Sequence, residues 1–168
     1  MTSKPEKGSM TASGSSDAHR EIVVSRMIDA PRELVFDAFT DPIHIVEWWG
    51  PDGFTTTTER MQVRPGGDWR YVMHGPDGRD YVNRVLYLEI SRPDRLVYKH
   101  AGEGDTEDVD FTTTITFVEA GGKTQLTMRA TFSDQAGRDH VVEEYGAIEG
   151  GIQTLGRLAA YLANRRTP

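Results

Sequence analysis

The hydrophobic period of this chain changes twice, and the changes divide it into strands, short helices, more strands and a final helix. From Glu21 to Asp29 apolar residues alternate, with Ile22, Val24 and Ile28 on one face and Val23, Ser25 and Met27 on the other, which predicts a strand. Asp29-Ala30-Pro31 ends it. Pro31 suits a first helical turn, Glu33 suits the positive end of a helix, and Leu34, Val35, Ala38 and Phe39 recur at helical spacing. Asp41 is placed to cap a second short helix over Ile43, Val46, Glu47 and Trp48, which stops at Gly50-Pro51.

From Phe54 onward the period is two. Six further strands are predicted at 54–63, 67–74, 79–90, 96–100, 109–118 and 123–132, separated by turn chemistry such as Gly75-Pro76-Asp77-Gly78 and Ala120-Gly121-Gly122. Connections this short favour an antiparallel meander. Alternation assigns four inward sets: Trp69, Tyr71 and Met73; Val82, Leu86, Leu88 and Ile90; Phe111, Ile115 and Phe117; Leu126, Met128, Ala130 and Phe132. Ser133-Asp134 leads into one long C-terminal helix whose apolar stripe reads as Val141, Tyr145, Ile148, Ile152, Leu155, Ala159 and Leu162.

That helix carries Gly146, Gly150, Gly151 and Gly156. An interior glycine costs roughly 0.5–1 kcal/mol relative to alanine, so close approach of a strand or a bound molecule is expected there. The whole is an α+β arrangement: a curved antiparallel sheet of about seven strands, two short helices, and a long C-terminal helix across the apolar face enclosing a cavity. Residues 1–19, rich in Ser, Thr, Gly and Lys, read as a disordered tail or an expression remnant, and 20–166 as a single domain.

Composition narrows the partners. A net charge of -7 opposes nucleic acid and anionic membranes, and no apolar run is long enough to span a bilayer. The absence of cysteine removes disulfides, thiol nucleophiles and thiolate metal sites. With no secretory signal pattern at the N-terminus, the expectation is a cytoplasmic protein.

Five segments together resemble a known family. They are residues 29–42, Trp48-Trp49-Gly50-Pro51, residues 73–78, residues 93–98, and the helix over 149–162. In this order they are similar to the START-like (SRPBCC) helix-grip superfamily, and within it to the C-terminal domain of the activator of heat-shock protein 90 ATPase. The resemblance implies the helix-grip fold. It does not select among the ligand carriers, aromatic cyclases, toxin-sequestering proteins and cochaperones of that superfamily. Nothing in the chain matches the separate N-terminal chaperone-binding domain of the eukaryotic activator.

Candidate cavity residues are Trp48, Trp69, Tyr71, Met73, Asn83, Met128, Tyr145, Glu149, Ile152 and Gln153. Each has a plainer alternative. Trp48 and Trp49 read as a pocket mouth or as core plugs; Glu149 and Gln153, one turn apart, read as a pair orienting a ligand or as a structural or solvated pair. Arg26 is a counter-ion candidate for Glu149, and Asn83 or Arg84 must face inward. His74, His100 and His140 lack metal-ligand spacing, so no metal and no cofactor are expected, although His74 is a candidate base. Three functions follow: binding of a lipophilic or aromatic molecule; a protein-interaction role, with a chaperone or as a homodimer; or a cofactor-free cyclase or hydrolase using Glu149, Gln153 or His74.

Overall fold

The computed structural model describes residues 18–101 and 111–166. Residues 1–17 of the expected tail, and the first two residues of the strand expected at 109–118, lie outside the described residues. Ala18–Arg20, two residues of which were assigned to the tail, form a turn of 3-10 helix, and Arg20 Nη1 donates to the carbonyl of Phe132 at 2.7 Å.

Seven strands make one antiparallel sheet: β1 (Glu21–Ile28), β2 (Thr55–Met61), β3 (Asp68–His74), β4 (Asp80–Ser91), β5 (Arg95–His100), β6 (Phe111–Ala120) and β7 (Lys123–Phe132). Their spatial order is β1-β7-β6-β5-β4-β3-β2, so β2 to β7 form a meander and β1 joins the far edge beside β7. The link from β1 to β2 crosses the sheet through helices α1 (Arg32–Thr40) and α2 (Pro42–Ile45). The sheet is curved, with register shifts at Thr58/Arg60 and Tyr87/Glu89 where bulges increase its twist.

Local chemistry explains the helix ends. Asp41 caps α2 by accepting from the Ile43 amide at 2.9 Å. The second helix is shorter than expected and turns its apolar side differently: Ile45 is buried, whereas Ile43 and, on α1, Leu34 are exposed. Asp134 caps α3 (Gln135–Tyr145) by accepting from the Gly137 amide at 2.8 Å. The expected single C-terminal helix is two, because Gly146 adopts the left-handed conformation (φ 60°) and ends α3 before α4 (Ala147–Arg166) begins.

The core lies between the sheet and α1, α2 and α4. Phe36 and Phe39 pack on Phe117, and Leu155, Leu158 and Leu162 bring the lower part of α4 onto it. The inward sets on β3, β6 and β7 match expectation, but that on β4 is reversed. Asn83, Val85 and Tyr87 face inward, while Val82 and Leu86 turn away and Leu88 is 51% exposed. The bulge beside Leu88 reverses the parity, so Ile90 packs against the core despite its even number.

Candidate functional site

The face that α4 turns to the sheet is graded in size. Ala147, Gly150, Gly151 and Thr154 occupy it over the first two turns, and Leu155, Leu158 and Leu162 take over below. Small side chains at spacing three, four and seven hold the helix against the sheet without filling the space beneath it. A cavity of about 400 Å³ results.

Its walls come from six strands. Ile22 and Val24 on β1 and Met128, Ala130 and Phe132 on β7 form an apolar side; Tyr71 and Met73 on β3 and Val85 on β4 form another. Polar groups gather where β4, β5 and β6 run side by side, as Asn83, Tyr98, His100 and Thr113. Asn83 Nδ2 donates to the Tyr81 carbonyl at 3.1 Å, which leaves Oδ1 to accept from His100 Nε2 at 3.2 Å. Phe111 stacks on the His100 ring, with centroids 4.8 Å apart and an interplanar angle of 10°. Burial pushes the phenols of Tyr71 and Tyr98 above their ordinary value, so both stay neutral at physiological pH.

Of the residues expected at a site, Tyr71, Met73, Asn83, Met128 and Tyr145 line this cavity, Tyr145 from its rim at 42% exposure. The other five do not. Trp48 is fully buried outside it, its Nε1 donating to the Ala38 carbonyl at 3.1 Å and its ring set edge-on against Phe39. Trp69 backs the wall: it stacks on Tyr71 at 3.7 Å and donates from Nε1 to Thr58 Oγ1 at 3.0 Å. Its neighbour in space, Trp49, is the indole that reaches the cavity.

Glu149, Ile152 and Gln153 lie on the outward side of α4. Ile152 is 46% exposed and Ile148 shares its direction, so the expected apolar stripe holds at Leu155, Ala159 and Leu162 but not over the first turns of α4. Gln153 Oε1 accepts from the Asp52 amide at 3.1 Å and its Nε2 donates to Glu149 Oε2 at 3.5 Å, so the pair ties the loop before β2 to the helix. Arg26 is exposed and makes no ion pair with Glu149. His74 stands on the face opposite Tyr71 and Met73, its Nδ1 2.8 Å from Asp80 Oδ1 and its Nε2 2.9 Å from Thr57 Oγ1. All three groups considered as acid or base therefore sit outside the cavity.

His100, Tyr98 and Thr113 are among the lining residues outside the ten candidates, and Trp49, read in the sequence as pocket mouth or core plug, is another. Alternation along β5 puts Leu96, Tyr98 and His100 on one face. That signal marks the face but not the neighbours it meets. The glycines also divide. A Cβ on Gly151 would stand 3.2 Å from Val24 Cγ2 and one on Gly150 3.5 Å from Pro51 Cγ, whereas Gly156 faces open space. Among the described residues no cluster of three or more His, Asp or Glu is arranged to hold a metal, and no helix is long and apolar enough to cross a membrane.

Residues 29–163 match the family described as Activator of Hsp90 ATPase homolog 1-like protein. The chain belongs to this family. Its helix-grip fold places it, with that family, in the START-like superfamily. A protein from Nitrosomonas europaea is 25% identical with a TM-score of 0.80, over 90% of this chain and 99% of its own. Two further family-like folds are a protein from Arthrobacter aurescens (24% identical, TM-score 0.80, 88% of each chain) and the AHSA1 protein from Silicibacter pomeroyi (20%, 0.69, 87% and 99%). No curated protein matches the chain. In this member of the Activator of Hsp90 ATPase homolog 1-like family, the space between helix and sheet is lined chiefly by apolar side chains and closed on the β4–β6 side by the Asn83–His100 pair.

Proposed function

We propose that this protein binds a lipophilic or aromatic small molecule in the cavity between α4 and the sheet. The observation that carries the reading is the run Ala147, Gly150, Gly151 and Thr154 opposite apolar strands, which keeps about 400 Å³ unfilled. Protein interiors pack as densely as organic crystals and leave few voids larger than a water molecule. A hollow of this size, apolar with a few convergent polar groups, has the character of a small-molecule site.

The test is thermal unfolding against a panel of lipophilic and aromatic metabolites, with native mass spectrometry of the purified protein. An occupant at about a hundred times its Kd adds roughly 2.7 kcal/mol of stability. Ala130→Trp, which fills the cavity from β7, is expected to abolish that shift while retaining the far-ultraviolet circular dichroism of the fold. Absence of any shift or co-purified mass, or an undiminished shift in Ala130→Trp, counts against the reading.

A further inference from the structure

The charge of the lining is its least ambiguous property. Among the described residues the lining contains no lysine, arginine or aspartate, and its one formally charged side chain, Glu144, is exposed at the rim. Arg157, beside the lining residues Gly50 and Pro51, is already engaged: its Nη1 donates to both of their carbonyls, each at 2.9 Å. A carboxylate or phosphate brought inside would leave water without a fixed cation to meet it, which is strongly unfavourable.

The polar groups that are inside are hydrogen-bonding side chains, and they are concentrated. Asn83 is 6% exposed and His100 7%, on adjacent strands, with Thr113 buried on the next. The Asn83 amide is oriented by its bond to the Tyr81 carbonyl, and the His100 ring is held by that amide and by Phe111. Two oriented hydrogen-bonding groups at one end of an apolar space recognise a single hydroxyl or carbonyl, and a site built to hydrogen-bond such a group discriminates against a ligand lacking it.

We propose that the occupant is an uncharged molecule, with an apolar body lying under Gly150 and Gly151 and one hydroxyl or carbonyl group directed at Asn83 and His100. Acids of the same shape are excluded. This rests on the binding reading above and adds to it the chemical class of the ligand and the residues that select it.

Three probes of one shape separate the possibilities: 2-naphthol, 2-naphthoate and naphthalene, titrated by the fluorescence of Trp49 and its neighbours or by calorimetry. The titrations are run at about pH 8, on the alkaline side of a free imidazole. The expected result is 2-naphthol binding about tenfold or more tightly than 2-naphthoate, and more tightly than naphthalene. Asn83→Leu and His100→Phe are each expected to erase the advantage of 2-naphthol over naphthalene while naphthalene itself binds within about threefold of before, which also reports an intact fold. Equal binding of 2-naphthoate and 2-naphthol overturns the uncharged class and leaves the cavity as a binding site. A 2-naphthol advantage that survives both substitutions overturns the role of the pair. If none of the three binds and the metabolite panel is also silent, the binding reading fails and the proposal with it.

Discussion

Gly151 on α4 faces Val24 on β1 so closely that a Cβ added to the glycine would stand 3.2 Å from Val24 Cγ2. That contact sets how near the helix comes to the edge of the sheet. Gly156, one and a half turns further on, meets nothing within 4 Å. Gly156→Ala is therefore expected to stabilise the protein by about 0.5–1 kcal/mol through helix propensity and reduced freedom of the unfolded chain. Gly151→Ala gains the same propensity but displaces Val24 and stabilises less. Urea unfolding of both variants checks the order.

Gly146 should respond in the opposite sense. Its φ of 60° costs a side chain about 1 kcal/mol, so Gly146→Ala is expected to destabilise by that amount even though open space surrounds it. Comparison with Gly156→Ala under the same denaturant separates conformational cost from crowding.

The two adjacent tryptophans should differ in what they affect. Trp48→Ala removes a fully buried indole and its bond to Ala38 and is expected to cost about 3–5 kcal/mol. Trp49→Phe keeps an aromatic ring at the cavity wall, so its main effect is expected on ligand affinity and on the fluorescence change that accompanies binding. Paired unfolding and titration of the two variants tests this division.

Asp68 gives the fold a defined acid sensitivity. It is buried at the start of β3, with Arg60 Nε 2.8 Å from Oδ1 and Arg60 Nη2 2.6 Å and Arg84 Nε 2.8 Å from Oδ2. The two Arg60 hydrogen bonds, with the one from Arg84, outweigh the cost of burial and hold the carboxyl well below its ordinary value of 3.8. A carboxyl lowered in the folded state contributes stability that is present in full above that ordinary value and is lost as pH falls below it. Asp68→Asn is expected to cost about 1–3 kcal/mol near neutral pH, and the gap between variant and parent should narrow as the pH is lowered through ~3. Denaturant titrations at both pH values measure it.

Glu149→Ala and Gln153→Ala are expected to leave ligand affinity unchanged within about 0.5 kcal/mol, because both side chains lie outside the cavity and Gln153 serves the loop at Asp52. Their effect should appear as a small loss of stability. A large loss of affinity with unchanged stability would instead place one of them against the ligand.

Much of the fold was legible because its signals are local. Asp41 and Asp134 cap the helices they precede, turn residues separate the strands of the meander, and Lys123–Phe132 alternates as it folds. The β4 face was misread because both parities carry large apolar residues. Val82, Leu86 and Leu88 outweigh Asn83, Val85 and Tyr87 in aliphatic bulk, and a bulge reverses the parity before Ile90. Bulges answer to the twist of the assembled sheet, which the sequence of one strand does not express.

The final helix shows where sequence ends and tertiary structure begins. Its sequence alone determined that the chain beyond Asp134 would end in a long amphipathic helix, and that its glycines required a reason. Which face meets the sheet was decided by assembly. Ile148 and Ile152 are the more hydrophobic choice, yet Gly151 and Thr154 lie inward because only small groups allow α4 to approach Val24 while Leu155 and Leu158 enter the core. Likewise Asn83 and His100 are 17 residues apart in the chain, and it is the pairing of β4 with β5 that makes them one polar site. Propensity and capping act over a few neighbouring residues, whereas a cavity is the difference between surfaces that meet only when the chain has folded.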